Sequence, residues 1–495
     1  MPGFHVENFG CRAARADGEA VSDRLRAGGH CARQPAQADV VIVNTCSVTA
    51  EADRAARAFI RRAHRLNPEA RIVVTGCYAQ RAPEELARIA GVSAVVGNSH
   101  KAFAPQIAMS LMGQAAPHVD LAAQSTDTAL IQIQAASDAP QVWADDRFAH
   151  SFLEEAQVVP GAQTRPNLKV QEGCGNRCTF CVIPETRGPS RSLSAPAILR
   201  QVEGFVAASG NELVLSGINL GRWGRDLAQA NVADGDLGSP RTLPGLVRMI
   251  FSQTALPRLR LSSIEPMDWD ADLIGLMREF GGTRLARHAH LPLQSGSDAV
   301  LRRMHRRYRP WHYEEKVQAL LDAAGPELTL GADVMAGFPG ETDAEFEETL
   351  ALVRVLPFGY LHLFPFSPRP NTRAWALHAE NPVAPQAVEE RMAALRALAA
   401  EKSRAHRRHF IGRELEAVTL HTPAESELAG RTAALSENFL PVELEARLPA
   451  NCLIRARVRS LSPEGILLAE LPARTHGAAD AVSTHSFAEN VTVGA

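Results

Sequence analysis

The feature of this chain that most restricts its fold is a repeated unit: a short apolar run followed by a helical stretch. Runs at 4–9, 40–44, 71–75 and 93–96 read as strands, separated by helical stretches to about residue 27, over 49–66 and near 83–89. Continuously apolar runs are characteristic of strands covered on both faces. Alternating strands and helices build a parallel sheet with helices on either side. A second series begins at Asn167, with candidate strands at 168–171, 212–216, 258–262, 288–293, 328–335 and 360–366. One of its helices, 195–208, follows Ser194 as N-cap. Six such units predict a partial (β/α)6 barrel, because a closed one needs eight. After a helix at about 386–406, short strands at 414–421, 432–435, 440–448 and 453–458 predict a small all-β domain. The fold class is therefore α/β in three parts. A parallel-sheet domain spans 1–120, the partial barrel 164–405 and the β-domain 406–475. Residues 121–163, rich in Ala, Gln, Ser and Asp, read as a linker or insertion, and 476–495 as a disordered tail.

Charge and hydropathy narrow the setting. The net charge is −3 over 495 residues, so nucleic-acid binding has to come from local basic patches. No apolar run approaches the ~20 residues of a membrane helix. The N-terminus lacks the charged-then-apolar pattern of a signal peptide. The expectation is a cytoplasmic monomer without membrane contact, its thiols kept reduced.

Eight cysteines stand at 11, 31, 46, 77, 174, 178, 181 and 452. Cys174, Cys178 and Cys181 form a C-x3-C-x2-C loop after the first strand of the second series. Three thiolates so placed can hold three irons of a cubane and leave the fourth iron for a small molecule. A structural zinc would want a fourth ligand nearby, and the sequence has no His between 151 and 287. Cys11, Cys46 and Cys77 are spread out, 35 and 31 residues apart, yet each lies just past the end of a predicted strand. Parallel strands share one carboxyl edge, where ligands bind. The three would thus meet as a second triad with an open iron. Buried cysteines packing as small hydrophobes would instead fall within the strands.

The C-x3-C-x2-C loop ahead of a partial barrel resembles the radical S-adenosylmethionine superfamily over residues 167 to about 372. The two triads in this order, with the words FGCR, NTCSVT, TGCYAQ, CTFCVIPETRG, LPLQSGSD and VMAGFPGET, resemble the radical S-adenosylmethionine methylthiotransferases over about 3–470. The resemblance implies two 4Fe–4S clusters and S-adenosylmethionine (SAM), and a C-terminal TRAM domain that binds RNA. One SAM would methylate a sulfur at the N-terminal cluster. A second, cleaved at the core cluster, would yield the 5′-deoxyadenosyl radical that activates the substrate carbon. Phe180 matches an aromatic that contacts adenine. Ser216, Gly217, Gln294, Ser295, Gly337 and Glu341, at strand ends, are expected at SAM; as residues alone they read equally as tight turns and helix caps. Cys31 and Cys452 match no motif and are expected to be structural.

Arg369, after the sixth strand, suits a phosphate-bearing partner; Arg187 and Arg191 in RGPSRS and Arg306 and Arg307 in MHRRY lie in equivalent loops, and each reads equally as a surface salt-bridge residue. This favours tRNA as the partner over a ribosomal protein. Arg54, Arg57, Arg61 and Arg65 share one helix face and read as a solvated stripe. Lys402, Arg404, Arg407, Arg408 and Arg413 lead into the β-domain and are expected at RNA, with Phe410 and Phe439 as candidates for base stacking. LSGINLGRWGRDL, RLRLSSIEP and LHLFPFSPR resemble the MtaB type, whose substrate is N6-threonylcarbamoyladenosine at position 37, methylthiolated at C2. The alternatives are the MiaB type acting on isopentenyladenosine, the ribosomal-protein methylthiotransferases, and a non-catalytic iron–sulfur protein that senses redox state on RNA. An electron donor such as flavodoxin or ferredoxin is expected.

Overall fold

A computed structural model describes residues 1–113, 140–148, 164–227 and 239–472. The first unit is a six-stranded sheet, β1 (Gly3–Asn8), β2 (Cys31–Ala32), β3 (Val40–Thr45), β4 (Arg71–Gly76), β5 (Val92–Gly97) and β6 (Gln141–Trp143). Their order is β2-β1-β3-β4-β5-β6, and every pair is parallel. Alternation splits β3 and β4 between two cores. Val41, Val43, Ile72 and Val74 pack under Ala56, Phe59 and Ile60 of helix α2 (Ala50–Leu66). Val40, Ile42 and Val73 pack under Val21 and Leu25 of α1 (Arg12–Ala27). Residues 121–163 were expected to be a linker. Within them, Gln141–Trp143 instead forms the sheet's edge strand beside β5. Three residues are too few to show a period in sequence. Residues 121–139 and 149–163 of that segment and the expected tail lie outside the described residues.

The second unit carries the six expected strands, β7 (Asn167–Glu172), β9 (Glu212–Gly217), β10 (Arg258–Leu261), β11 (His288–His290), β12 (Thr329–Ala336) and β13 (Phe358–Pro365). A short antiparallel strand, β8 (Arg191–Ser192), flanks β7. The outward residues Leu213, Leu215, Leu259, Ala289, Leu330, Ala332 and Val334 pack beneath the surrounding helices. The opposite set, among them Lys169, Gln171, Glu212, Ser216, Arg260, His288, His290 and Asp333, lines the lumen.

The third unit is a closed five-stranded barrel of β14 (Glu414–Thr419), β15 (Thr432–Ser436), β16 (Pro441–Leu444), β17 (Leu453–Leu461) and β18 (Leu467–Glu470). Its β15–β16 turn pushes Phe439 into the partial barrel. There the ring lies 4.6 Å from His288 and 5.4 Å from Tyr360, with the guanidiniums of Arg12 and Arg260 each 5.4 Å away. Phe410 is fully buried inside the small barrel. Both aromatics expected to stack on bases are therefore engaged within the protein.

Candidate metal centre

In a parallel sheet of order 2-1-3-4-5-6 the strand order reverses between β1 and β3, and ligands bind in the crevice that opens there. Cys11 follows β1 and Cys46 follows β3, so both flank that crevice; Cys77 opens helix α3 (Cys77–Arg81) at the end of β4. Glycines admit the close approach. Gly10, at φ +113°, has no room for a Cβ, which would sit 2.5 Å from Cys46 Cβ. Gly76, at φ +98°, would drive one into the Thr45 carbonyl. Thr49 then caps α2, accepting from Ala52 N at 3.2 Å. The words FGC, NTCSVT and TGC thus record the backbone's needs as well as the sulfurs'.

Four of the six sulfurs have environments that suit a thiolate ligand. Cys77 Sγ accepts from Arg187 Nε at 3.2 Å and Asn98 Nδ2 at 3.4 Å, and Cys46 Sγ accepts from Val48 N at 3.5 Å. In the core loop Cys174 Sγ accepts from Asn176 N at 3.4 Å and Asn219 Nδ2 at 3.5 Å, and Cys178 Sγ from Arg306 Nη1 at 3.3 Å. Donors to sulfur and a nearby cation are what cluster thiolates require. Without metal, burial and the neighbouring cysteines push Cys46 up to about 12, and burial does the same to Cys181. Metal binding would displace those protons. The donor sets fit two cubanes, each with three protein thiolates. Asn98, Asn219 and Arg306 carry this environment and were not assigned to it from sequence; Asn98, one residue past the end of β5, repeats the offset that marked the cysteines.

The two triads are joined through one short helix, Ile183–Arg187, which starts two residues after Cys181 and ends with its arginine on Cys77. Five residues rise only about 7.5 Å. Arg187 was expected at the substrate. It is instead fully buried, where its Nη1 also donates to Glu172 at 2.7 Å and Asp17 at 3.2 Å. Lys101 Nζ reaches the same two carboxylates, at 2.7 and 3.0 Å, and Lys169 pairs with both as well. Three cations face two carboxylates, which leaves one positive charge for the Cys77 sulfur. Burial alone would raise Glu172, but Arg187, Lys101 and Lys169 hold it well below the carboxylate range. Burial brings Lys101 down to about 8 despite both acids.

Two more arginines expected at the substrate serve other contacts. Arg369 donates to Asp53 at 2.7 Å, Arg81 reaches the same oxygen at 2.8 Å, and Ser367 accepts from Ala50 N at 3.1 Å. The sixth barrel loop is thereby docked on the start of α2, beside Cys46. Arg191 is half-buried, donating to the Phe148 and Arg187 carbonyls. Of the residues expected at SAM, Phe180 is half-buried and edge-on to Phe338 at 6.5 Å. Ser216 donates to the Leu168 carbonyl at 3.4 Å, and Gly217 sits where a Cβ would meet Gln171. Ser295 bonds Thr349 at 3.0 Å; Glu341 accepts from Gly337 N at 2.7 Å and Arg391 at 2.9 Å. These last three brace the turns. Gln294, at φ +63°, keeps its buried Oε1 without a partner. Arg57 bonds Tyr78 and Glu85, while Arg54, Arg61 and Arg65 are exposed.

The partial barrel, its three-cysteine loop and its glycine-rich strand ends define a radical SAM enzyme. The Radical SAM superfamily model matches residues 168–353, and the model of "Uncharacterized protein family UPF0004" matches 3–97. The threonylcarbamoyladenosine tRNA methylthiotransferase MtaB of Bacillus subtilis is 32% identical over 442 residues, 89% of each chain. Its counterpart in Aquifex aeolicus is 31% identical, over 91% of this chain and 99% of that one. A tRNA-2-methylthio-N(6)-dimethylallyladenosine synthase of Cereibacter sphaeroides is 32% identical, over 93% and 97%. The radical SAM methyltransferase TsrM of Kitasatospora setae shares the fold, with a TM-score of 0.50 and 14% identity over 77% of this chain and 78% of that one. The chain belongs to the radical SAM methylthiotransferases and is a transferase of that family. The family's cofactors are SAM and 4Fe–4S clusters, and the six cysteines are the residues that would hold the clusters. Among the described residues no helix is long and apolar enough to cross a membrane.

Proposed function

We propose that this transferase methylthiolates C2 of N6-threonylcarbamoyladenosine at position 37 of tRNA, using one SAM as methyl donor and a second as radical source. Relatives named for either adenosine match at nearly equal identity, so the choice rests on the lumen. Arg12, the residue after Cys11, extends toward Tyr360, Arg260 and Glu212, and among the described residues its guanidinium has the Phe439 ring but no hydrogen bond. Around it, Arg165, Arg258 and Arg260 share the buried carboxylate Glu212, Arg258 also pairs with Glu416 at 3.0 Å, and Arg165 Nε and Arg260 Nη1 are buried without a hydrogen-bond partner. The threonyl group brings a carboxylate to such a site. An isopentenyl group would leave these donors desolvated and unpaired, the strongest kind of discrimination a pocket makes. When bound, the clusters and SAM supply the radical and the sulfur; the chain orients the base between the two triads and excludes water. Exposed Arg404 and Arg408, with Arg457 on the outer face of β17 between the ion-paired Arg455 and Arg459, form a basic surface suited to the tRNA backbone. Nucleoside mass spectrometry of tRNA from cells lacking the gene tests this reading. Loss of 2-methylthio-N6-threonylcarbamoyladenosine is the expected result, and loss of the isopentenyl analogue instead would overturn it.

A further inference from the structure

We propose that His290, Asp333 and His362 bind one divalent transition ion of the zinc class in the barrel lumen, a site separate from both cysteine triads. The three residues lie on neighbouring parallel strands, with Asp333 directly opposite His362 and β11 alongside β12. Alternation puts them on the inner face, since Ala289, Ala332 and Val334 pack outward. Among the described residues theirs are the three metal-binding side chains whose ligand atoms all lie within 4.8 Å of one another. His290 Nε2 stands 3.1 Å and His362 Nδ1 3.2 Å from the same oxygen, Asp333 Oδ1. Ligands about 2.0–2.2 Å from one ion, in octahedral or tetrahedral arrangement, stand about 3.0–3.5 Å apart. Two of the three ligand–ligand distances already fall in that range, and the third pair stands within 4.8 Å.

The support around the ligands is also present. A metal-binding histidine commonly uses its second nitrogen to fix the ring. His290 Nδ1 meets the Tyr360 hydroxyl at 2.9 Å, and that hydroxyl meets His288 Nε2 at 2.8 Å. The chain His288–Tyr360–His290 thus aims Nε2 at Asp333. Exposure is graded, from 7% for the His290 side chain through 25% for Asp333 to 58% for His362, so the ion has a way in and keeps an open side. Two imidazoles and a carboxylate with open positions suit zinc or ferrous iron, and an oxygen donor, water or carboxylate, would complete the shell. The site stands whichever adenosine is the substrate.

The test uses protein with both clusters reconstituted, so that the cysteines are occupied. Loosely held metal is removed by chelation, and Zn2+ alone is then added, with Co2+ in a parallel sample. One zinc per chain beyond the iron, and visible d–d bands from cobalt, are expected. His362→Gln and Asp333→Asn should abolish both at unchanged iron content, and Tyr360→Phe should weaken binding about 10–100-fold. His362 is more than half exposed, so its replacement leaves the fold intact and is decisive alone. Absence of stoichiometric zinc in the parent protein, or zinc retained unchanged in His362→Gln, would overturn the proposal.

Discussion

Replacing Arg187 with methionine removes the cation that joins the two triads and leaves the charges around it balanced. Methionine fills a similar apolar volume, and Asp17 and Glu172 keep Lys101 and Lys169 as partners. Cys77 alone then loses its counter-charge. A unit charge 3.2 Å from the sulfur is worth at most ~5 kcal/mol at an effective dielectric constant of about 20. A charge-assisted hydrogen bond contributes about 1.5–3 kcal/mol net. Spent on a one-electron couple, that range corresponds to roughly 60–130 mV. Removing positive charge makes reduction harder, so the N-terminal cluster's midpoint potential should fall by that amount while the core cluster's stays in place. The assay is a redox titration followed by electron paramagnetic resonance, with the core cluster as internal standard. Arg187→Lys keeps the charge without the fixed Nε geometry and should shift less than half as far. Equal potentials in the parent and methionine proteins, at full iron content, would refute the electrostatic role of Arg187.

Two further outcomes are expected. Cys46→Ala should halve the iron content and stop sulfur transfer, yet leave SAM cleavage to 5′-deoxyadenosine measurable; loss of cleavage with the core cluster intact would contradict the division between the triads. Burial, with His409 and Arg407 adding to it, lowers His406 from 6.5 to about 4 where it meets Thr329 at 2.8 Å. The folded state thus binds fewer protons than the unfolded chain between those values, so stability falls as pH drops from about 6.5 toward 4. The ceiling is ~3 kcal/mol, and the ring's partial exposure makes the effect smaller. Thermal midpoints at pH 7.5 and 5 should diverge more in the parent than in His406→Gln; equal divergence would exclude this histidine.

The strand–helix order and both triads were legible in sequence because each rests on a local signal. Apolar runs mark strands, and a cysteine at a fixed offset past each run marks the shared sheet edge. The charges were not legible in the same way. Arg187 meets Cys77 across 110 positions and Arg369 meets Asp53 across 316. Nothing in RGPSRS or FSPRPN says that these side chains turn inward. A basic residue in a loop is usually solvated, and only packing between the first two units reverses that expectation. Ser295 and Glu341 depart for a related reason. Hydroxyls and carboxylates at strand ends suit a ligand or a turn equally, and here Thr349 and Arg391 take them. Phe439 reads as a surface aromatic until the turn bearing it is seen to enter the lumen.

That turn has a bearing on how the chain came to be assembled. A module that merely held RNA at arm's length could be lost or exchanged with little effect on the chemistry upstream. Here its tip reaches into the lumen and rests against Arg12, a residue adjacent to the first cysteine. One small barrel consequently supplies part of the lumen wall, so a truncation at its entrance would bare His288, Tyr360 and Arg12 to water.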